Sequence, residues 1–203
     1  MSIKSKLTIV SFLQFFVWGA WLITIATYFF SNPIGQIEGA GATFGAIFST
    51  LAWSSLFMPA ITGIIADRWM NAEKLYGLLH ILYGAVLLYV PQVTDADTLY
   101  YVMFAAMIFY MPTISLSNSI AYTILKREGY DVVKVFPPIR VWGTIGFIVA
   151  MWVTNLTGSK DNANQFIIGG VAAIALGIYS FTLPKCPPQR TIAANASLIE
   201  QLG

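Results

Sequence analysis

The sequence predicts an all-α membrane protein, a bundle of six transmembrane helices, and three observations carry that prediction. Of the 203 residues, 57% are hydrophobic and only 10% are charged, with a mean hydropathy of +0.71. Soluble domains carry about 25% charged residues. Six apolar stretches each approach the roughly 20 residues that cross the hydrocarbon as a helix. The basic residues, finally, fall almost wholly in alternate connections between those stretches.

The first stretch, 7–30, follows Lys4 and Lys6 much as a secretory signal would. Its apolar run of about 24 residues exceeds the roughly 7–15 of a signal core, and no A-x-A-like site closes it, so it reads as an uncleaved helix. The second, 42–66, is set off by SNPIGQIEGAG before it and DRWMNAEK after it. The third, 75–91, is the shortest and holds His80, the single histidine, in GLLHILYG. A free imidazole titrates near neutral pH, but in such apolar company it reads as a neutral, hydrogen-bonded packing residue. The fourth, 98–124, begins after PQVTDAD and is interrupted by Pro112. The fifth, 132–157, follows KREGYDVVK and the sixth, 164–184, follows TGSKDNAN. Backbone groups in lipid must pair within their own segment, so these stretches are helices and not isolated strands. Residues 1–184 thus form the bundle. Residues 185–203, ending in the polar TIAANASLIEQLG, read as the start of a cytoplasmic interdomain linker, and a chain that stops there reads as a fragment. The single cysteine, Cys186, has no internal disulfide partner and reads as a surface thiol past the last span.

Orientation follows from charge. With the N-terminus in the cytoplasm, that side receives Lys4, Lys6, Arg68, Lys74, Lys126, Arg127, Lys134, Lys185 and Arg190, and the other side only Lys160. Arg140, inside a span, is set aside. Nine against one places both termini in the cytoplasm by the positive-inside rule.

Several function classes drop out. A net charge of +2 gives nucleic acid little to bind. One histidine and one cysteine, with no G-x-S-x-G, H-E-x-x-H or C-x-x-C, leave no catalytic constellation and no metal or cofactor site, so the chain is not expected to be an enzyme.

The chemistry concentrates in the fifth stretch, FPPIRVWGTIGF at 136–147. An arginine at the centre of a span costs about 2.5–3.5 kcal/mol. The apolar residues Ile139, Val141, Ile145, Phe147, Ile148, Val149, Val153 and Leu156 offset this with about 0.3–0.6 kcal/mol each, so the helix is viable with a small margin. Pro137 and Pro138 suit either a helix's first turn, which leaves Arg140 near the surface, or a kink in one already begun, which places it deeper. At about 100° per residue, Arg140, Thr144 and Phe147 share one face, and Gly143 and Gly146 lie beside it where helices can approach closely. Arg140 either looks into a cavity or snorkels to the headgroups. Two further polar faces favour a cavity. Gln14, Trp18 and Trp21 share a face of the first stretch, and Ser115, Asn118, Ser119 and Tyr122 share one of the fourth. Stretches one and four become equivalent if the bundle is two three-helix repeats, and interrupted helices in equivalent positions mark transporter binding sites.

With these residues in place, the chain resembles the N-terminal half of a nucleoside–proton symporter of the major facilitator superfamily. The resemblance runs through SFLQFFVWGAWL (11–22), FMPAITGIIADRW (57–69), YMPTISLSNSIAY (110–122) and, most specifically, FPPIRVWGTIGFIVAMWV (136–153). It implies a fold of about twelve helices in two bundles, alternating access, and proton-driven nucleoside uptake across the plasma membrane, the inner membrane in bacteria. It implies that Arg140, Thr144 and Phe147 face the nucleoside; Gln14 and Asn118 are added to that set from their own helix faces. It also implies a gate at Gly63, Asp67 and Arg68, although Met70, Asn71 and a later Lys74 stand where the superfamily has a second glycine and a following basic pair. Protons are the expected coupling ion, their carboxylates residing in a C-terminal half. Other readings are a carrier of another solute such as a sugar, or a structural bundle that self-associates in the bilayer.

Overall fold

The structure, a computed structural model, describes residues 1–188. Arg190 and the tail from 189 to 203, most of the expected linker, lie outside the described residues.

Seven α-helices make the six expected crossings: α1 (Ile3–Gly19), α2 (Ile25–Ser31), α3 (Ala40–Arg68), α4 (Ala72–Tyr89), α5 (Ala96–Arg127), α6 (Val132–Leu156) and α7 (Asn164–Ser180). No strand occurs among the described residues. Helices α3 to α6 are long and apolar enough to cross a bilayer unaided. The starts are chemically marked. Ser2 accepts from the Ser5 amide, Asp95 from the Thr98 amide, and Asp131 from the amides of Val133 and Lys134, so each side chain satisfies donors that a helix N-terminus leaves free.

One expectation needs correcting here. The first crossing is not a single helix, because its ladder slips between Ala20 and Thr24. The Trp21 amide bonds the Trp18 carbonyl three residues back, and Thr24 does the same to Trp21. What permits the break is an outside partner: the Thr154 hydroxyl of α6 donates to the Ala20 carbonyl at 2.7 Å. Breaks inside a membrane persist where a neighbouring helix takes up the freed group.

The packing shows the internal repeat. Helix α1 runs along α6 and α3 along α5; α4 runs along α7, touches α5, and α1 touches both α5 and α7. Exchanging the first three crossings for the last three maps this set of contacts onto itself. At the symmetric centre, α4 and α7 meet through glycines spaced seven residues apart on each helix. A Cβ on Gly84 would sit 2.7 Å from the Gly170 carbonyl oxygen, and one on Gly177 would sit 2.7 Å from that of Gly77. Only glycine allows the two backbones so close, and small-residue seams of this kind hold membrane helices together by dispersion.

The basic residues gather at one end. Lys6 donates to the Thr182 carbonyl (2.8 Å) and Arg127 to the Lys185 carbonyl (2.7 Å). These bonds tie the chain beyond α7 under the ends of α1 and α5. Lys160 lies at the far end, whose loop is held by Gln165 donating to the Lys160 and Asn162 carbonyls.

A second correction concerns Cys186, which is buried at 4% exposure and not a surface thiol. The carboxylate of Glu73, itself 2% exposed, accepts from the Cys186 amide at 2.8 Å and from Asn71 at 3.1 Å. The Ala72 amide returns a bond to the Cys186 carbonyl. This clamp folds the segment back under α4. Burial and the neighbouring Glu73 carboxylate push the Cys186 thiol up to about 11.

Candidate functional site

Helix α6 begins at Val132, so Pro137 and Pro138 lie within it and not in its first turn. Arg140 therefore sits eight residues in, about 12 Å along the axis at 1.5 Å per residue. That is the deeper of the two placements the sequence allowed. Its guanidinium lies over the ring of Phe15 from α1, 3.9 Å from the ring centre, a geometry in which the ring's negative face attracts the cation. Gly143 makes this stacking possible: a Cβ there would meet the Phe15 ring at 2.6 Å and an Arg140 nitrogen at 2.7 Å. Among the described residues the guanidinium has no ion pair and no hydrogen bond; only the Arg140 carbonyl is engaged, weakly, by Ser11.

Thr144, one turn further along α6, is exposed, and Phe147 is half-buried. Phe147 stands edge-on to Trp18 of α1, with ring centres 6.2 Å apart at 83°. Its backbone rests on Gly19, where a Cβ would come within 2.6 Å of the Phe147 carbonyl oxygen. Trp18 also leans on Tyr110 of α5 at 5.6 Å. The chain of rings Phe147, Trp18 and Tyr110 thus joins the three helices expected to carry polar faces. The Trp18 indole N–H is buried and has no partner among the described residues.

Gln14 is placed differently from the α6 residues. It is fully buried, and its side chain is engaged on both sides: Nε2 donates to the Thr113 hydroxyl at 2.9 Å, and Oε1 accepts from the Tyr76 hydroxyl. The Gln14 carbonyl accepts from Tyr110 at 2.7 Å. In this conformation Gln14 faces the junction of α1, α4 and α5, behind the Arg140 face. Trp21 is likewise interior, its N–H donating to Tyr83 at 2.7 Å. Asn118 is half-buried on α5, and among the described residues its side-chain amide makes no hydrogen bond, neither to Arg140 nor to Thr144.

The gate candidates close α3. Asp67 and Arg68 are exposed and unpaired among the described residues, and a Cβ on Gly63 would meet open space. His80 is fully buried, its ring centre 4.3 Å from that of Tyr76 with the two planes tilted by 51°. Its Nδ1 lies 3.1 Å from the Tyr76 carbonyl, an acceptor, which fixes the neutral ring as an Nδ1–H donor. The sequence reading did not foresee the hub formed by Tyr76, Tyr110 and Thr113. Its signal was three hydroxyls on two neighbouring apolar segments, which acquire a common target only when Gln14 is placed between them.

Chemically, the α6 face offers a forked cation and a hydroxyl that make no hydrogen bond among the described residues, with a ring beside them. It can bind a flat, uncharged, oxygen-rich solute. It has no nucleophile–base pair for covalent chemistry.

Comparison with known proteins yields a consistent picture. The family described as Nucleoside H+ symporter matches residues 1–203. The xanthosine permease of Escherichia coli (strain K12) is 43% identical over 203 residues, covering 100% of this chain and 47% of the relative. Nucleoside permease NupG of the same organism is 40% identical over the same span, again 100% against 47%. A crystal structure of the nucleoside transporter NupG, in a point mutant, superposes with a TM-score of 0.90 at 40% identity, covering 99% of this chain and 49% of that one. The chain spans about half the length of the curated relatives it matches.

Proposed function

The chain belongs to the nucleoside H+ symporter family, and from that premise we infer that it forms the N-terminal bundle of a transporter carrying nucleosides in symport with protons by alternating access. The observation that carries this reading is the guanidinium of Arg140, stacked on Phe15 one turn from the hydroxyl of Thr144, both without hydrogen-bond partners among the described residues. A nucleoside is uncharged, so recognition must use hydrogen bonds and stacking. The planar fork of Arg140 donates to base or ribose oxygens, Thr144 donates or accepts, and Phe147 covers the base. Asn118 supplies a further amide from α5. Gln14 holds Tyr76, Thr113 and Tyr110 in place behind them and so fixes the depth of the site.

The basic end lies in the cytoplasm, as the positive-inside rule requires, and the host membrane is the bacterial inner membrane. At that end Gly63, Asp67 and Arg68 form part of a gate that closes against the second bundle. The carboxylates that bind the transported proton belong to that second bundle. Residues 185–203 begin the connection to it.

The test is uridine binding by the complete transporter containing this bundle. Arg140→Ala weakens it at least tenfold, since a hydrogen bond to a charged group contributes about 1.5–3 kcal/mol, while helicity is retained. Unchanged affinity would remove Arg140 from the site. Sugars compete poorly with uridine in the same assay; if they compete equally, the solute class is wrong.

A further inference from the structure

A cavity of about 320 Å³ opens between the N-terminal ends of α1 and α6, lined by Lys4, Thr8, Lys134, Val135, Pro138, Ile139 and Trp142. We propose that it is a binding site for the phosphodiester headgroup of an anionic phospholipid, with an acyl chain lying along Trp142. The site is independent of what the bundle transports.

Its construction is graded from charge to grease. Lys4 and Thr8 are one turn apart on α1. On α6, Lys134, Pro138 and Trp142 follow one another at four-residue intervals, one stripe of the helix. The stripe therefore runs from an ammonium at the helix start to an exposed indole (46% exposed) two turns inward. Headgroup depth is where an indole is at home, with its apolar body toward the tails. Two lysines and a hydroxyl at the mouth supply donors for phosphate oxygens, and Val135 and Ile139 line the inner wall.

The stripe is also turned away from the nucleoside face. Pro138 and Trp142 are each two residues from Arg140, so at about 100° per residue they lie about 160° around the helix from it. A ligand here does not enter the transport path.

The lysines are available. Lys134 lies 3.4 Å from Asp131, but both are well exposed, and such a pair is worth little. Asp131 is in any case occupied in capping α6 through the amides of Val133 and Lys134. The Lys4 ammonium rests 4.6 Å above the Tyr130 ring, which holds it near the mouth without neutralising it. Asp131 is the one acidic group bonded at this mouth among the described residues, so the cluster of Lys4, Lys134 and Asp131 keeps a net positive charge. Basic pockets between membrane helices are recognised sites for anionic headgroups.

The experiment reconstitutes the complete transporter containing this bundle in nanodiscs of equal parts dioleoylphosphatidylglycerol and dioleoylphosphatidylcholine. Retained lipid is then counted by native mass spectrometry. The wild-type chain keeps phosphatidylglycerol over phosphatidylcholine by roughly tenfold. Lys4→Gln with Lys134→Gln removes the preference, Lys4→Arg with Lys134→Arg keeps it, and Lys160→Gln at the far end changes nothing. Excess inorganic phosphate leaves the lipid in place. Equal phosphatidylglycerol retention by the double glutamine variant overturns the site. Displacement by inorganic phosphate alone overturns the lipid as its occupant.

Discussion

Helices α4 and α6 are both apolar spans, yet they are used in opposite ways. Half of the most apolar stretch of α4 is buried within the bundle, against 17% of that of α6; α5 and α3 repeat the same contrast at 50% and 17%. Helix α4 meets α7 through paired glycines, each of which faces a glycine carbonyl of the other helix and the side chain of a neighbour such as Ile174 or Ile81. Helix α6 is seated on α1 by Gly143 and Gly146 and leaves the Arg140 guanidinium and the Thr144 hydroxyl without hydrogen-bond partners among the described residues. The difference teaches a division of labour by position in the repeat. The third helix of each repeat, α4 and α7, closes the structure, whereas the second, α3 and α6, stays uncovered. The Gln14 amide is used up in bonds to Tyr76 and Thr113, whereas among the described residues the Arg140 guanidinium keeps its hydrogen-bonding capacity.

The seam can be broken first. Gly84→Val places a branched side chain where a single Cβ already lies 2.7 Å from the Gly170 carbonyl. The loss of stability is about 3 kcal/mol, at the upper end for overpacking. The variant should unfold at markedly lower temperature in detergent; wild-type thermal stability would mean the seam is not tight.

Next comes the hub behind the site. Gln14→Leu leaves the Tyr76 hydroxyl stranded and removes one of the two bonds of the Thr113 hydroxyl, which keeps its bond to the Tyr110 carbonyl, at about 2 kcal/mol. Tyr76→Phe in the same chain recovers part of this, because it removes one stranded hydroxyl. Additive losses in the double variant would show that the two side chains do not interact.

A smaller effect sharpens the contrast from the other side. Thr144→Val removes a hydroxyl that makes no hydrogen bond among the described residues, so thermal stability should stay within about 0.5 kcal/mol of wild type. Nucleoside affinity in the complete transporter should fall by about 1 kcal/mol, close to fivefold. A stability loss without an affinity loss would move Thr144 from the α6 face to the packing.

The smallest change tests the clamp at the basic end. With its thiol buried and its pKa pushed up to about 11, Cys186 is overwhelmingly protonated at pH 8, and the thiolate is the reactive form. Maleimide labelling at pH 8 should be slow. Glu73→Gln weakens the acceptor for the Cys186 amide and should speed labelling severalfold; an unchanged rate would mean that Glu73 does not hold the segment.

How much of this was legible beforehand differs by residue. The six crossings, their order and the polar character of α6 follow from runs of apolar residues and from Arg140 standing among them. The break at Ala20–Thr24 was not legible, because no proline marks it and its enabling partner, Thr154, lies 134 residues away. Arg140, Thr144 and Phe147 were legible as a set because helical periodicity alone puts them on one face. Gln14 looked equivalent to them by the same logic, but periodicity says which residues face together and not what they face. Cys186 was misread for a similar reason, since its cover comes from Glu73 on a distant helix.

By itself, then, the sequence determined the membrane class, the crossings, the lopsided charge of the two ends and the shared face of α6. These depend on composition and on local helical geometry, which a chain carries wherever it goes. Only the tertiary structure decided which polar face would be consumed in packing and which left free. That choice depends on what each helix meets: Gln14 met the hydroxyls of Tyr76 and Thr113, while Arg140 met the ring of Phe15.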